Sequence, residues 1–95
     1  MKMKVAVLQT KVFADKNENL EQVKALMARE DVAACDLVAL PEMWNCPYQT
    51  ENFPIYAERE DSEFVRALAE LAKEHQVYFQ AGSIPEVDDA GHVYN

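Results

Sequence analysis

Residues 36–48 of this 95-residue chain read Asp-Leu-Val-Ala-Leu-Pro-Glu-Met-Trp-Asn-Cys-Pro-Tyr, and they hold the side chains best suited to chemistry. Residues 37–40 are wholly apolar, the pattern of a short strand buried on both faces of a parallel sheet. Pro41 ends that run, because it has no N–H to give to a ladder and drives the residue before it extended. Glu42 is left just past the strand's C-terminal tip, where α/β sheets keep their ligands. Met43, Trp44 and Tyr48 would set apolar walls against this carboxylate, disfavouring its charged form and suiting it to general-base work. An acidic residue just after a strand is also commonly a solvated loop residue, and on spacing alone Glu42 fits both readings. Cys46 is the nearest nucleophile by type, but no histidine or lysine lies near it in sequence to activate the thiol.

The elements that would position these groups alternate. Residues 5–8, extending toward Val12, form a first apolar strand, β-branched at Val5 and Val7, with Gln9 at its rim. Asp15 followed by Glu18 is a capping-box-like start, and Leu20, Val23, Leu26 and Met27 then recur at helical spacing, so an amphipathic helix is expected to end near Glu30. After the central strand, residues 49–61 are polar but carry Phe53, Pro54, Ile55 and Tyr56; such a segment is expected to pack back on the domain and help shape a pocket. Ser62 caps a second helix with its apolar face on Phe64, Leu68, Leu71 and Ala72, and His75 stands at its C-terminal end as a boundary residue. Residues 77–81 form a third strand that Gly82 ends. Ser83 and Glu86 then fall at the same sheet edge as Glu42 if the strands are parallel, as pocket neighbours or as a turn leading into a hairpin. Asp88-Asp89-Ala90-Gly91 is a turn signal, with a further strand starting at Val93. The order β-α-β-α-β describes an α/β sheet with right-handed crossovers. Strands this apolar need cover on both faces, more than two helices provide.

Several stretches resemble motifs of one family. Leu40-Pro41-Glu42-Met43-Trp44-Asn45-Cys46-Pro47-Tyr48 is similar to the glutamate signature of the nitrilase superfamily, the carbon-nitrogen hydrolases, and within it to the ω-amidase-like branch. Lys4-Val5-Ala6-Val7-Leu8-Gln9, Gly82-Ser83-Ile84-Pro85-Glu86 and Tyr94-Asn95 resemble further motifs of that family, in its order and at about its spacing, so the resemblance covers the whole chain. One departure is Ala81, where many relatives carry a second glycine.

The resemblance implies the four-layer α-β-β-α sandwich of the nitrilase fold, with residues 1–95 as the N-terminal part of a single, incomplete hydrolase domain. It implies hydrolysis of a non-peptide carbon-nitrogen bond in a small carboxamide or nitrile through a thioester or thioimidate, by a Glu-Lys-Cys triad. Glu42 matches the family's glutamate, the base for the thiol and then for the attacking water. The family's lysine and cysteine fall beyond residue 95, so these residues alone are expected to be inactive. Trp44, Cys46 and Tyr48 are expected at the mouth of the substrate pocket, with Cys46 not the nucleophile. No cofactor is implied; the partner is a small-molecule amide, and the full-length form is expected to be a homodimer.

Composition narrows the alternatives. Residues 1–30 carry six Lys and Arg against four Asp and Glu, residues 31–95 three against thirteen, and the net charge is −8. An acidic chain repels phosphate backbones and anionic lipid, which argues against nucleic-acid and membrane partners. Two cysteines, Cys35 and Cys46, are too few for a zinc site and read as free thiols. The N-terminus shows neither a signal-peptide core nor a run of transmembrane length, which makes the cytoplasm the expected address. With two glycines in all and no G-x-G-x-x-G, a nucleotide-binding module is disfavoured. Lys73, the only lysine after Glu42, stands between Glu70 and Glu74 as a surface charge. The serious rival to an enzyme is a non-catalytic fragment or pseudoenzyme acting as a binding module.

Overall fold

A computed structural model describes residues 2–95. Its centre is a three-stranded parallel sheet of β1 (Val5–Val7), β2 (Leu37–Ala39) and β3 (Tyr78–Gln80), with β2 in the middle. The α/β class and parallel pairing expected from the alternation are present. In register, Ala6, Val38 and Phe79 form one row across the sheet, flanked by the rows Val5-Leu37-Tyr78 and Val7-Ala39-Gln80. Side chains alternate faces along a strand, so the middle row points one way and the flanking rows the other. Val38 is completely buried in a cluster with Leu20, Val23 and Met27 of helix α1 (Lys16–Met27) and Phe64, Leu68 and Leu71 of the long helix Glu63–His75. The opposite face is bare: Val7 is 73% exposed and Tyr78 72%. The chain thus makes two layers, helices on a sheet, with an apolar sheet face open to solvent.

β1 is shorter than its apolar run suggests. Leu8 still donates to the Ala39 carbonyl at 2.9 Å, but the chain then leaves the sheet for the helix layer. There, Gln22 and Asn19 of α1 each grip a backbone peptide unit: Lys11 N–H and C=O meet the Gln22 amide, and Phe13 N–H and C=O meet the Asn19 amide, at 2.7–3.0 Å. Asn19 is fully buried with its amide bonded in this way, as a buried polar group requires. Asp15 caps α1 by accepting from Asn17 N–H. The helix stops at Met27, earlier than its pattern suggested, because Arg29 turns extended; its guanidinium grips Asp31 and a separate turn, α2 (Glu30–Ala33), follows.

Residues 49–61 do pack back on the domain. A 3-10 turn at Thr50–Asn52 leads into α3 (Phe53–Tyr56), and the Tyr56 hydroxyl donates to the Ala14 carbonyl. Glu58 is buried, its carboxylate paired with Lys16, its backbone bridging to residues 85–87. Helix α4 (Glu63–His75) begins at Ser62, whose hydroxyl accepts from Val65 N–H, and ends where Gln76 adopts the left-handed conformation (φ 53°). His75 is its last residue, as expected. Beyond β3, strands β4 (Glu86–Val87) and β5 (Val93–Tyr94) form an antiparallel hairpin apart from the parallel sheet. Its turn is tied by Asp88, whose carboxylate accepts from the N–H groups of Ala90 and His92; the His92 amide above all holds that carboxyl below the usual carboxylate range.

The one-sided burial has a measurable signature in this chain. Val38→Ala is expected to cost about 2–3 kcal/mol of unfolding free energy in urea, and Val7→Ala less than about 0.5 kcal/mol. Equal losses would mean that the open face is covered in solution.

Candidate active site

At the C-terminal tip of β2, Leu40 N–H makes a last bond to the Gln80 carbonyl at 2.9 Å, and Pro41 ends the pairing. The next residues turn sharply. Met43 has a positive φ of 52°, a costly conformation for a residue with a side chain and one that surrounding contacts must enforce. Those contacts come from residues 81–83. Met43 N–H donates to the Ser83 hydroxyl at 3.0 Å, and the Trp44 indole N–H donates to the Ala81 carbonyl at 2.7 Å. Trp44 is buried and stacks on Phe64 of α4, with ring centroids 5.6 Å apart. Between them Gly82 lies so close to the turn that a Cβ built on it would sit 2.0 Å from the Pro41 carbonyl oxygen. Its φ of +65° is equally closed to side chains. The positive φ falls at Gly82 and not at Ala81, which is why alanine is accommodated at the latter position.

This corner turns Glu42 outward. The carboxylate is exposed, in an open hollow lined by Leu40, Glu42, Gln80, Gly82, Ser83 and Asn95, and Asn95 Nδ2 donates to its Oε1 at 3.1 Å. The apolar walls foreseen around it do not close in this chain: Met43 and Trp44 point into the core, and Tyr48 is 72% exposed, edge-on to Phe53. Cys46 is fully buried, its thiol directed at the Pro47 carbonyl, and burial pushes its pKa up. Burial thus disfavours its thiolate, in keeping with the sequence argument that nothing nearby activates it. Of the residues flagged in sequence, Glu42 and Ser83 come together at the hollow. Trp44 and Cys46 are in the interior beneath it, Tyr48 stands away on the surface, and Glu86 is committed to the β4–β5 hairpin. Lys73 is exposed on α4.

Sequence reasoning did not single out Asn95 as a contact of Glu42, nor Met43 as a strained hinge. Asn45, between Trp44 and Cys46, is fully buried with neither end of its amide bonded to a protein group. Among the described residues no group of His, Cys, Asp and Glu could hold a metal ion, and no helix is long and apolar enough to cross a membrane.

A strand-tip glutamate on a parallel sheet, moored by a Gly-Ser-Ile-Pro-Glu segment, agrees with the sequence comparisons. The chain belongs to the carbon-nitrogen hydrolase family, whose model matches residues 4–95. It is 40% identical over 92 residues to the omega-amidase NIT2 of Mus musculus, covering 97% of this chain and 33% of that protein. The omega-amidase NIT2 of Xenopus tropicalis is 39% identical over 94 residues, 99% of this chain and 34% of the relative. Nitrilase homolog 2 of Dictyostelium discoideum is 39% identical over 93 residues, 97% of this chain and 28% of the relative. The chain spans about a third of the length of the curated relatives it matches.

Two measurements test the corner. Gly82→Ala is expected to cost about 3 kcal/mol in urea unfolding, and Gly91→Ala, at φ +85° but with open space around it, only about 1 kcal/mol. Alkylation of the folded chain with iodoacetamide at pH 8 should label Cys46 only after unfolding. Rapid labelling of the native Cys46 would contradict the burial described.

Proposed function

We propose that the complete protein hydrolyses a non-peptide carbon-nitrogen bond in a small carboxamide, ω-amidase-like, with Glu42 as general base. The observation that carries this reading is the placement of Glu42 at the tip of the central parallel strand, on a corner held by Met43, Trp44, Gly82 and Ser83, in a chain of the carbon-nitrogen hydrolase family. A thiol attacks as thiolate, so the reaction needs a base beside it; the same carboxylate then takes a proton from the water that releases the acyl group. The lysine of the triad, which stabilises the tetrahedral oxyanion, and its nucleophilic cysteine belong to the part of the protein outside residues 1–95. No lysine or cysteine lines the hollow at Glu42, which supports the reading that the 95 residues alone are inactive.

The architecture goes with the mechanism. The bare sheet face, exposing Val5, Val7 and Tyr78, supports a four-layer α-β-β-α sandwich in which a second sheet from the rest of a single domain covers it. Residues 1–95 are then the N-terminal part of that domain. With the mouth closed by that second half, Trp44, Cys46 and Tyr48 form the inner and outer support of the substrate pocket. The complete protein is a homodimer by its family likeness, and the two unpaired cysteines within residues 1–95 fit the cytoplasm.

The rival, a non-catalytic binding module, draws on the same lack of a nucleophile at the hollow. Turnover of small ω-amides by the complete protein separates the two. Glu42→Gln should lower kcat on the order of 10²–10⁴-fold, the usual contribution of a positioned base. Undiminished turnover by that variant would remove Glu42 from the mechanism, and no amide turnover by the parent would favour the binding module.

A further inference from the structure

We propose that Asn95 is the positioning residue of Glu42, holding one carboxylate oxygen so that the other faces the reacting thiol and water. This rests on the reading of Glu42 as general base, and it assigns a role to a residue 53 positions away in sequence.

The geometry is direct. Asn95 Nδ2 lies 3.1 Å from Glu42 Oε1, and among the described residues no other side chain is hydrogen-bonded to that carboxylate. Because an ionised carboxylate only accepts, the amide must present its NH₂ end, which fixes the orientation of Asn95 as well. Of the residues lining the hollow, Glu42 alone carries a charge. A neutral donor suits this role, since it orients the carboxylate and leaves Oε2 free, whereas a cation at the same place would form an ion pair and weaken the base.

Asn95 is itself held from behind. It follows β5, whose Tyr94 pairs with Glu86 of β4 and donates its hydroxyl to Asp88. β4 is in turn anchored through the backbone of Glu58, which donates to the Pro85 carbonyl and accepts from Val87 N–H, both at 2.9 Å. The Glu58 carboxylate is buried against Lys16 at the start of α1. The hairpin therefore reaches Glu42 from a fixed base, as a group that must set another's geometry has to.

The test is a set of variants of the complete protein assayed for ammonia release from succinamate, a simple ω-amide, as a function of pH, with thermal unfolding measured alongside. Asn95→Ala is expected to lower kcat about 10- to 100-fold with KM changed less than about twofold. Asn95→Asp keeps the shape but sets a second carboxylate beside the first. It should move the acidic limb of the kcat/KM profile to higher pH by about one unit, because like charges disfavour ionisation. In a Glu42→Gln background, Asn95→Ala should cost nothing further, since the two act as one unit. If Asn95→Ala proves unstable, the isosteric Asn95→Asp profile decides alone. A pH profile of Asn95→Asp superimposable on the parent's, or a full additional loss in the Glu42→Gln background, would overturn the role of Asn95 while Glu42 stands as base. Undiminished turnover by Glu42→Gln itself would instead overturn the base assignment and the positioning role with it.

Discussion

Everything at this site depends on the close approach of two strand ends. β2 leaves the sheet at Pro41 and β3 leaves it at Gly82, and the two backbones meet with no room for a side chain between them. That contact brings the Ser83 hydroxyl under Met43 N–H and the Ala81 carbonyl under the Trp44 indole, which together hold Met43 in its left-handed conformation. With the backbone so turned, Met43 and Trp44 go inward and Glu42 goes outward. The strain at Met43, of order 1 kcal/mol or more, is offset by the indole's burial against Phe64 and by the two hydrogen bonds. The outward carboxylate is thus a product of packing on the far side of the corner.

Part of this was legible in the sequence because the signals are local. A proline closing an apolar run marks a strand tip within two residues, and it located Glu42. Asp15 and Ser62 marked the helix starts, and each caps its helix through its side chain. Gly82 read as the end of a strand over residues 77–81, and the ladder stops slightly earlier, at Gln80, with Gly82 in the turn beyond it. What was not legible depends on partners far along the chain. Glu58 looks like one more acid in a polar segment, and only the approach of Lys16 and residues 85–87 makes it a buried anchor. Asn95 reads as the end of a motif until the hairpin folds it onto Glu42. The early stop of α1 was missed because nothing in the side chain of Arg29 forbids helix; it is the extended backbone at Arg29 that separates α1 from α2.

The sheet shows why composition alone could mislead about burial. β1 and β2 are apolar along their length and β3 is apolar or aromatic up to Gln80, which reads as cover on both sides. Only the row Ala6-Val38-Phe79 has it here, and the flanking rows carry Val5, Val7 and Tyr78 into solvent. The apolar pattern of the strands thus runs ahead of the cover that the helices of this chain provide.

The amide clamps of Gln22 and Asn19 are local, and the contacts at the Glu42 corner are not. The clamps close loops of 11 and 6 residues, whereas the contact of Lys4 with Asp36 beside β1–β2 spans 32, and the moorings of the Glu42 corner span 37, 40 and 53. Closure entropy rises with span, and a chain emerging from the ribosome offers its short spans first. Helix α1 and the segment leading into it can be complete while β3 is still unmade. The corner bearing Glu42 rests on the longer of these spans, so its geometry is conditional on the pairing of β2 with β3.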